Sequence, residues 1–62
     1  MYTLRFHFVG GSFQEAKSLK TDKKDAFSLA KDLLEMDSFT VDDTIINTRN
    51  IVSIDVVKRL ED

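Results

Sequence analysis

Cysteine, proline and tryptophan are absent from this 62-residue chain, and glycine occurs only twice. Without cysteine there is no disulfide and no thiolate metal site. One histidine, His7, is too few for a histidine-based zinc site. We therefore expect no metal and no cofactor. Since a domain of this size buries only a small core, we expect close packing or self-association to stabilise it.

Long apolar runs are also missing, because no run exceeds two residues. The sequence therefore predicts no membrane span and no signal peptide. The formal net charge of −2 makes nucleic acid an unlikely partner, since sequence-independent binding requires a basic face. Residues 1–62 are expected to form a single domain in the cytoplasm, with no small-molecule substrate evident.

An unbroken alternation over residues 2–9, YTLRFHFV, is the strongest pattern that is present. One face carries Tyr2, Leu4, Phe6 and Phe8, and the other carries Thr3, Arg5, His7 and Val9. This pattern predicts a strand with one buried face, and the Gly10-Gly11 pair predicts a tight turn after it. Residues 12–20 then return as a second strand, whose charges suit the edge of a sheet.

Residues 26–36, AFSLAKDLLEM, follow the 3.6-residue period of an amphipathic helix. We expect Thr21 or Asp22 to cap its start and Met36 or Asp37 to end it. Residues 44–47 and 51–58 are predicted strands, with an extra short strand at 39–41. The predicted fold is of the α+β class: a single antiparallel sheet of about four strands, in chain order β-β-α-β-β, with the helix packed on one face.

No catalytic motif is present, so we do not expect an enzyme. The serines lack the G-x-S-x-G context of a nucleophile elbow. His7 has no thiol to activate, and its position on the wet face of the first strand is typical of a solvated histidine. Asp37, Asp42 and Asp43 lack the spacing of a calcium loop. Turn formation and solubility explain these carboxylates better than a cation site.

The face of the sheet opposite the helix is the first candidate interaction surface. It is predicted to combine polar and apolar side chains, namely Arg5, His7, Val9, Ile51 and Val57. Apolar patches left open on small domains often mark interfaces. The leading hypothesis is therefore a non-enzymatic protein–protein interaction module that self-associates, as a homodimer, through this face or through an edge strand.

A lysine cluster around the helix start supports an alternative hypothesis. It consists of Lys17, Lys20, Lys23 and Lys24. Free amides at a helix N-terminus together with several lysines attract phosphate groups, so the alternative is a nucleic-acid or phosphate-binding module. The acidic balance of the whole chain and the small number of aromatic residues weigh against it.

Residues 44–57, TIINTRNIVSIDVV, resemble the closing segment of small proteins from Gram-positive bacteria and their phages. In such proteins a short strand, an asparagine-containing turn and an alternating Ile/Val strand complete a compact α+β domain. The resemblance covers about the last third of the chain and implies a bacterial or phage accessory protein. It implies no catalytic residue.

Overall fold

The computed structural model describes residues 1–60 and has the α+β class that the sequence predicts. Five strands and one helix follow one another in the order β-β-α-β-β-β. A 3-10 turn, Thr48–Asn50, precedes the last strand. The elements are β1 (Tyr2–Phe8), β2 (Phe13–Glu15), α1 (Lys23–Leu34), β3 (Ser38–Val41), β4 (Thr44–Asn47) and β5 (Ile51–Lys58).

The strands are divided between two antiparallel sheets, whereas the sequence predicted a single one. β1 lies in the centre of the first sheet, in the order β2-β1-β5, and β3 pairs with β4 in a separate hairpin. The hairpin packs on the core through Phe39, Val41 and Ile46, which are buried, while its fourth apolar residue, Ile45, is exposed. The Phe39 ring lies 5.4 Å from the Phe6 ring. The hairpin therefore packs with its face on the core and does not extend the sheet.

The alternation of β1 determines which of its side chains enter the core. Leu4 and Phe6 are fully buried, while Tyr2 and Phe8 are partly buried and pack against them. Thr3 departs from the pattern, because it is buried although it belongs to the polar face. Its hydroxyl donates a hydrogen bond to the carbonyl of Ala16 at 2.7 Å, which satisfies the buried polar group.

The turn after β1 has the conformation that its glycines suggested. Gly10 and Gly11 have φ values of 100° and 96°, in the left-handed region that favours glycine.

β2 is much shorter than the predicted span of residues 12–20. It ends at Glu15: the Ala16 amide still donates to the Leu4 carbonyl of β1, but the amides of Lys17 and Ser18 donate to the carboxylate of Asp42.

Helix α1 begins after Asp22, whose carboxylate accepts a hydrogen bond from the Asp25 amide at 2.7 Å. The helix ends at Leu34, two residues before the predicted limit. Ala26 and Ala30 are its buried residues, and these short side chains allow the helix backbone to approach the sheet closely.

No helix within residues 1–60 is long and apolar enough to cross a membrane.

Candidate interaction surface on the three-stranded sheet

The face of the three-stranded sheet opposite α1, here called the outer face, carries two cross-strand pairs of ionisable side chains. Arg5 Nη2 lies 3.0 Å from Glu15 Oε2 and connects β1 to β2. His7 Nε2 lies 2.8 Å from Asp55 Oδ2 and connects β1 to β5. The central strand is thus joined to each neighbour by one cross-strand pair, although the buried Nε of Arg5 has no hydrogen-bond partner within residues 1–60.

Phe13 adds an aromatic ring to the same cluster. The Arg5 guanidinium lies 5.3 Å from the centre of the Phe13 ring, which is a cation–π distance, and the His7 ring lies 6.0 Å from it. The alternation around Phe13 is too weak for a functional prediction from the sequence. Phe13 pairs with His7 across the two strands. That pairing can be predicted only when the first residue of β2 is known.

Arg59 crosses the outer face and explains the burial of Thr3. Its backbone amide donates to Met1 on the β5 side of β1, at 2.9 Å. Its Nη1 donates to the carbonyls of Lys17 and Leu19, at 2.8 and 3.0 Å, on the β2 side. The side chain therefore passes over β1 beside Thr3. This end of the face is closed by the chain itself.

The five residues predicted for a sheet-face interface do not all lie on the outer face. Arg5, His7 and Val57 do, and Val9 lies exposed just beyond the end of β1. Ile51 does not, because it packs against the hydrophobic core. A β-bulge explains this correction: the register shifts between His7 and Phe8, so that Phe8 pairs with Ile51. One extra residue in a strand reverses the faces of the residues beyond it.

β5 is the last strand on its side of the sheet, and its outward-facing side is here called the open edge. The amide of Arg59 bonds to Met1. In an antiparallel ladder the hydrogen-bonded pairs alternate, so Val57 and Asp55 also bond to β1. The backbone groups of the intervening residues Ile54, Val56 and Lys58 therefore point outward. Within residues 1–60 no strand lies on that side to bond them.

An exposed flank of the helix lies above the open edge. Leu29 and Leu33 line a cavity with Leu19 and Val41, on the β2 side of the molecule. At 100° per residue, Phe27 and Leu34 lie on the opposite flank of the helix, which is the β5 side. Both are about half exposed. An apolar strip therefore runs along one side of the molecule, from the helix flank to the open edge.

The predicted lysine cluster does not converge on one site. Lys23 lies 6.0 Å from the Tyr2 ring, and Lys24 is exposed on the first turn of α1. Lys17 and Lys20 lie on the connection before the helix. Because the carboxylate of Asp22 binds an amide of the first turn, the helix N-terminus already carries its own anion.

Asp42 fastens the hairpin to the β2 side of the sheet. It has a φ of 53° in the turn between β3 and β4, a conformation that aspartate tolerates better than most residues. Its carboxylate accepts hydrogen bonds from the Ser18 hydroxyl and from the amides of Lys17 and Ser18. These bonds, led by that of the Ser18 hydroxyl, hold the pKa of Asp42 below its ordinary value. The sequence suggested only a turn here.

Within residues 1–60, no three His, Asp or Glu side chains are grouped so that they could hold a metal ion. No family model, curated protein or solved structure matches this chain. The open edge and the outer face are therefore the candidate interaction surfaces of residues 1–60.

Proposed function

We propose that this chain is a non-enzymatic protein–protein interaction module that self-associates as a homodimer through the open edge of β5. One observation carries the proposal: an eight-residue strand ends the sheet with unpaired backbone groups along its outward side. Such an edge is a template for adding another strand.

The open edge is preferred to the outer face because the ionisable side chains at the centre of the outer face already have partners within the chain. Its charged side chains form pairs within the chain, Arg5 with Glu15 and His7 with Asp55. Arg59 covers one end of it. A partner docking there would have to break or desolvate these contacts, and desolvating charges costs free energy.

The apolar strip beside the open edge supplies the burial that backbone hydrogen bonds alone do not provide. Phe27 and Leu34 are about half exposed on the helix flank above this edge, and Val52, 68% exposed, lies at the bulged end of β5 beside Ser53. Burial of apolar surface stabilises association by about 25 cal/mol per Å² before the entropic costs of binding. A strand edge flanked by apolar side chains is therefore a better interface than either feature alone.

Sedimentation equilibrium from micromolar to millimolar concentration tests this proposal. The wild-type chain is expected to reach twice its 7.1 kDa mass. Val52→Lys should weaken the dimer by about tenfold or more, because it places a charge beside the pairing edge. Ile45→Lys is the matched control. Ile45 is also a β-branched residue in a strand and is 76% exposed, but its strand belongs to the β3–β4 hairpin.

A chain that stays monomeric at millimolar concentration would contradict the proposal. An equal loss of dimer in the Ile45→Lys control would place the interface on the hairpin instead. The cytoplasmic location and the bacterial or phage accessory role stay predictions from the sequence.

A further inference from the structure

We infer that a cavity on the outer face, between Arg5 and Arg59, is a binding site for a small organic phosphate monoester. The inference goes beyond the proposed dimer and does not depend on it, because the cavity lies on the outer face and not on the open edge. Its volume is about 330 Å³. That value is near the lower end of the range for ligand sites in proteins, roughly 300–1,000 Å³, so the site suits a small ligand.

The register of the sheet places one arginine at each end of this cavity. Along β5, Val57 lies between Asp55, which pairs with Arg5, and Arg59 just beyond the strand. Alternation along the strand puts Val57 and Arg59 on the same face as Arg5. The floor between the two arginines includes Val57 and the small side chain of Ala16.

Positive charge exceeds negative charge around the cavity. Three cationic residues line it, namely Arg5, Lys17 and Arg59, against the carboxylate of Glu15. The excess is two positive charges, whereas the whole chain carries −2. Lys58 is left out of this count, because its side chain belongs to the opposite face of β5. A phosphate monoester carries a charge of about −1.5 to −2 at neutral pH and matches this excess better than a monoanion does.

Both guanidinium groups are held in place and still have N–H groups to donate. Arg59 Nη1 donates to the carbonyls of Lys17 and Leu19, while its Nε and Nη2 donate to no group within residues 1–60. Arg5 Nη2 donates to Glu15, and the buried Arg5 Nε has no partner in the same part of the chain. Guanidinium groups bind phosphate oxygens through paired N–H donors. Groups that are already fixed lose little conformational freedom on binding.

The apolar part of the wall favours an organic phosphate over inorganic phosphate. Leu60 lines the cavity and is 94% exposed, and Val57 is partly buried beside it. An aromatic or alkyl group attached to the phosphate would cover Leu60 while the phosphate contacts the arginines. Burial of that apolar surface adds to the affinity.

An NMR titration of the backbone amides, at constant ionic strength, compares three probes: phenyl phosphate, inorganic phosphate and phenylacetate. Phenyl phosphate should bind most tightly and shift the amides of Lys17 and Arg59. Phenylacetate has the same ring but a single charge, and should bind about tenfold more weakly. Equal affinities for phenyl phosphate and either other probe would overturn the ligand class. An absence of shifts at about 10 mM phenyl phosphate would overturn the site itself.

Substitutions then locate the bound phosphate. Arg59→Gln should weaken phenyl phosphate binding about tenfold. Glu15→Gln should strengthen it several-fold, because it removes a carboxylate that repels the ligand. This second variant keeps the test decisive if Arg59→Gln fails to fold, since the ion pair of Glu15 is partly exposed.

Lys24→Gln is the matched control for the loss of one positive charge. Lys24 is exposed on the first turn of α1 and does not line the cavity, so its substitution should leave the affinity unchanged. A loss in Lys24→Gln as large as that in Arg59→Gln would place the phosphate at the helix start. A Glu15→Gln chain that binds phenyl phosphate no more tightly than the wild type would also contradict the site.

Discussion

The two edges of the three-stranded sheet are built in opposite ways. The β2 edge is three residues long, carries the charge of Glu15, and is closed beyond that residue by the Asp42 carboxylate, which takes the amides of Lys17 and Ser18. The β5 edge is eight residues long, bears β-branched side chains, and meets no other strand within residues 1–60.

If the chain self-associates as proposed, this difference restricts the association to one side of the sheet. A sheet with two open edges can add strands without limit, as fibrils do. Shortening one edge and blocking it with a carboxylate leaves a single direction for growth, and a twofold contact on the other edge then closes the assembly. The contrast between the edges therefore favours a dimer over a polymer.

Proline substitution in β5 should break the contrast most strongly. Val57→Pro removes an amide that bonds to β1, and we expect it to destabilise the fold by about 3 kcal/mol. Val56→Pro removes only an outward-facing amide. It should cost less than Val57→Pro, mainly through the lost packing of the Val56 side chain on the core, while abolishing the dimer, because an edge strand accepts proline where its amide faces solvent.

Urea unfolding and sedimentation of both variants measure the two effects. If Val56→Pro and Val57→Pro lost equal stability, the assigned alternation of hydrogen bonds along β5 would be incorrect.

Acid should loosen the β2 edge only at a pH below the ordinary pKa of an aspartate. The pKa of Asp42 is lowered from its ordinary value of 3.8 by its hydrogen bonds to Ser18 and Lys17. Since the unfolded chain takes up this proton more readily, the contribution of Asp42 is complete above about pH 4 and is lost as the pH falls through the lower folded value.

Amide hydrogen exchange at Lys17 and Ser18 measures this loosening. At neutral pH, Asp42→Gly should speed both amides several-fold without straining a residue that has positive φ. Asp43→Gly is the control, because no hydrogen bond of the Asp43 side chain fastens this turn. Unchanged exchange in Asp42→Gly would show that the carboxylate does not protect these amides.

The smallest effect is expected from the charged pair on the β2 edge. Glu15→Gln removes its ion pair with Arg5, whose side chain is about one-third exposed. Partly exposed pairs of this kind contribute about 0.2–1 kcal/mol. Thermal unfolding should therefore shift by only a few degrees, and the dimer should be unaffected. A loss of dimer in Glu15→Gln would move the interface to the outer face.

The local patterns predicted most of the elements, because each depends on near neighbours in the chain. The alternation of residues 2–9 places Leu4 and Phe6 in the core, and the 3.6-residue period of residues 26–36 places Ala26 and Ala30 against the sheet. The predicted strands at 44–47 and 51–58 have those bounds in the structure. These features require no knowledge of strand order.

The candidate site was harder to predict, since it depends on which strands are neighbours. Nothing near β5 in sequence shows that it ends the sheet, so the open edge became visible only with the fold. Ile51 was assigned to the outer face because strict alternation was assumed, and one bulge residue reverses that assignment. The reach of Arg59 to Leu19 spans 40 residues and has no local signal in the sequence.

The pairing of β1 with β5 also has a consequence for how the chain folds. Tyr2 pairs with Lys58, so the central ladder joins almost the first residue to almost the last. Contacts so distant in sequence form slowly, because the whole intervening chain must be brought together first. During that interval the β1 of one molecule is open to the β5 of another, and exchanging this terminal strand reproduces the same native contacts. Refolding at high concentration should therefore yield strand-swapped dimers.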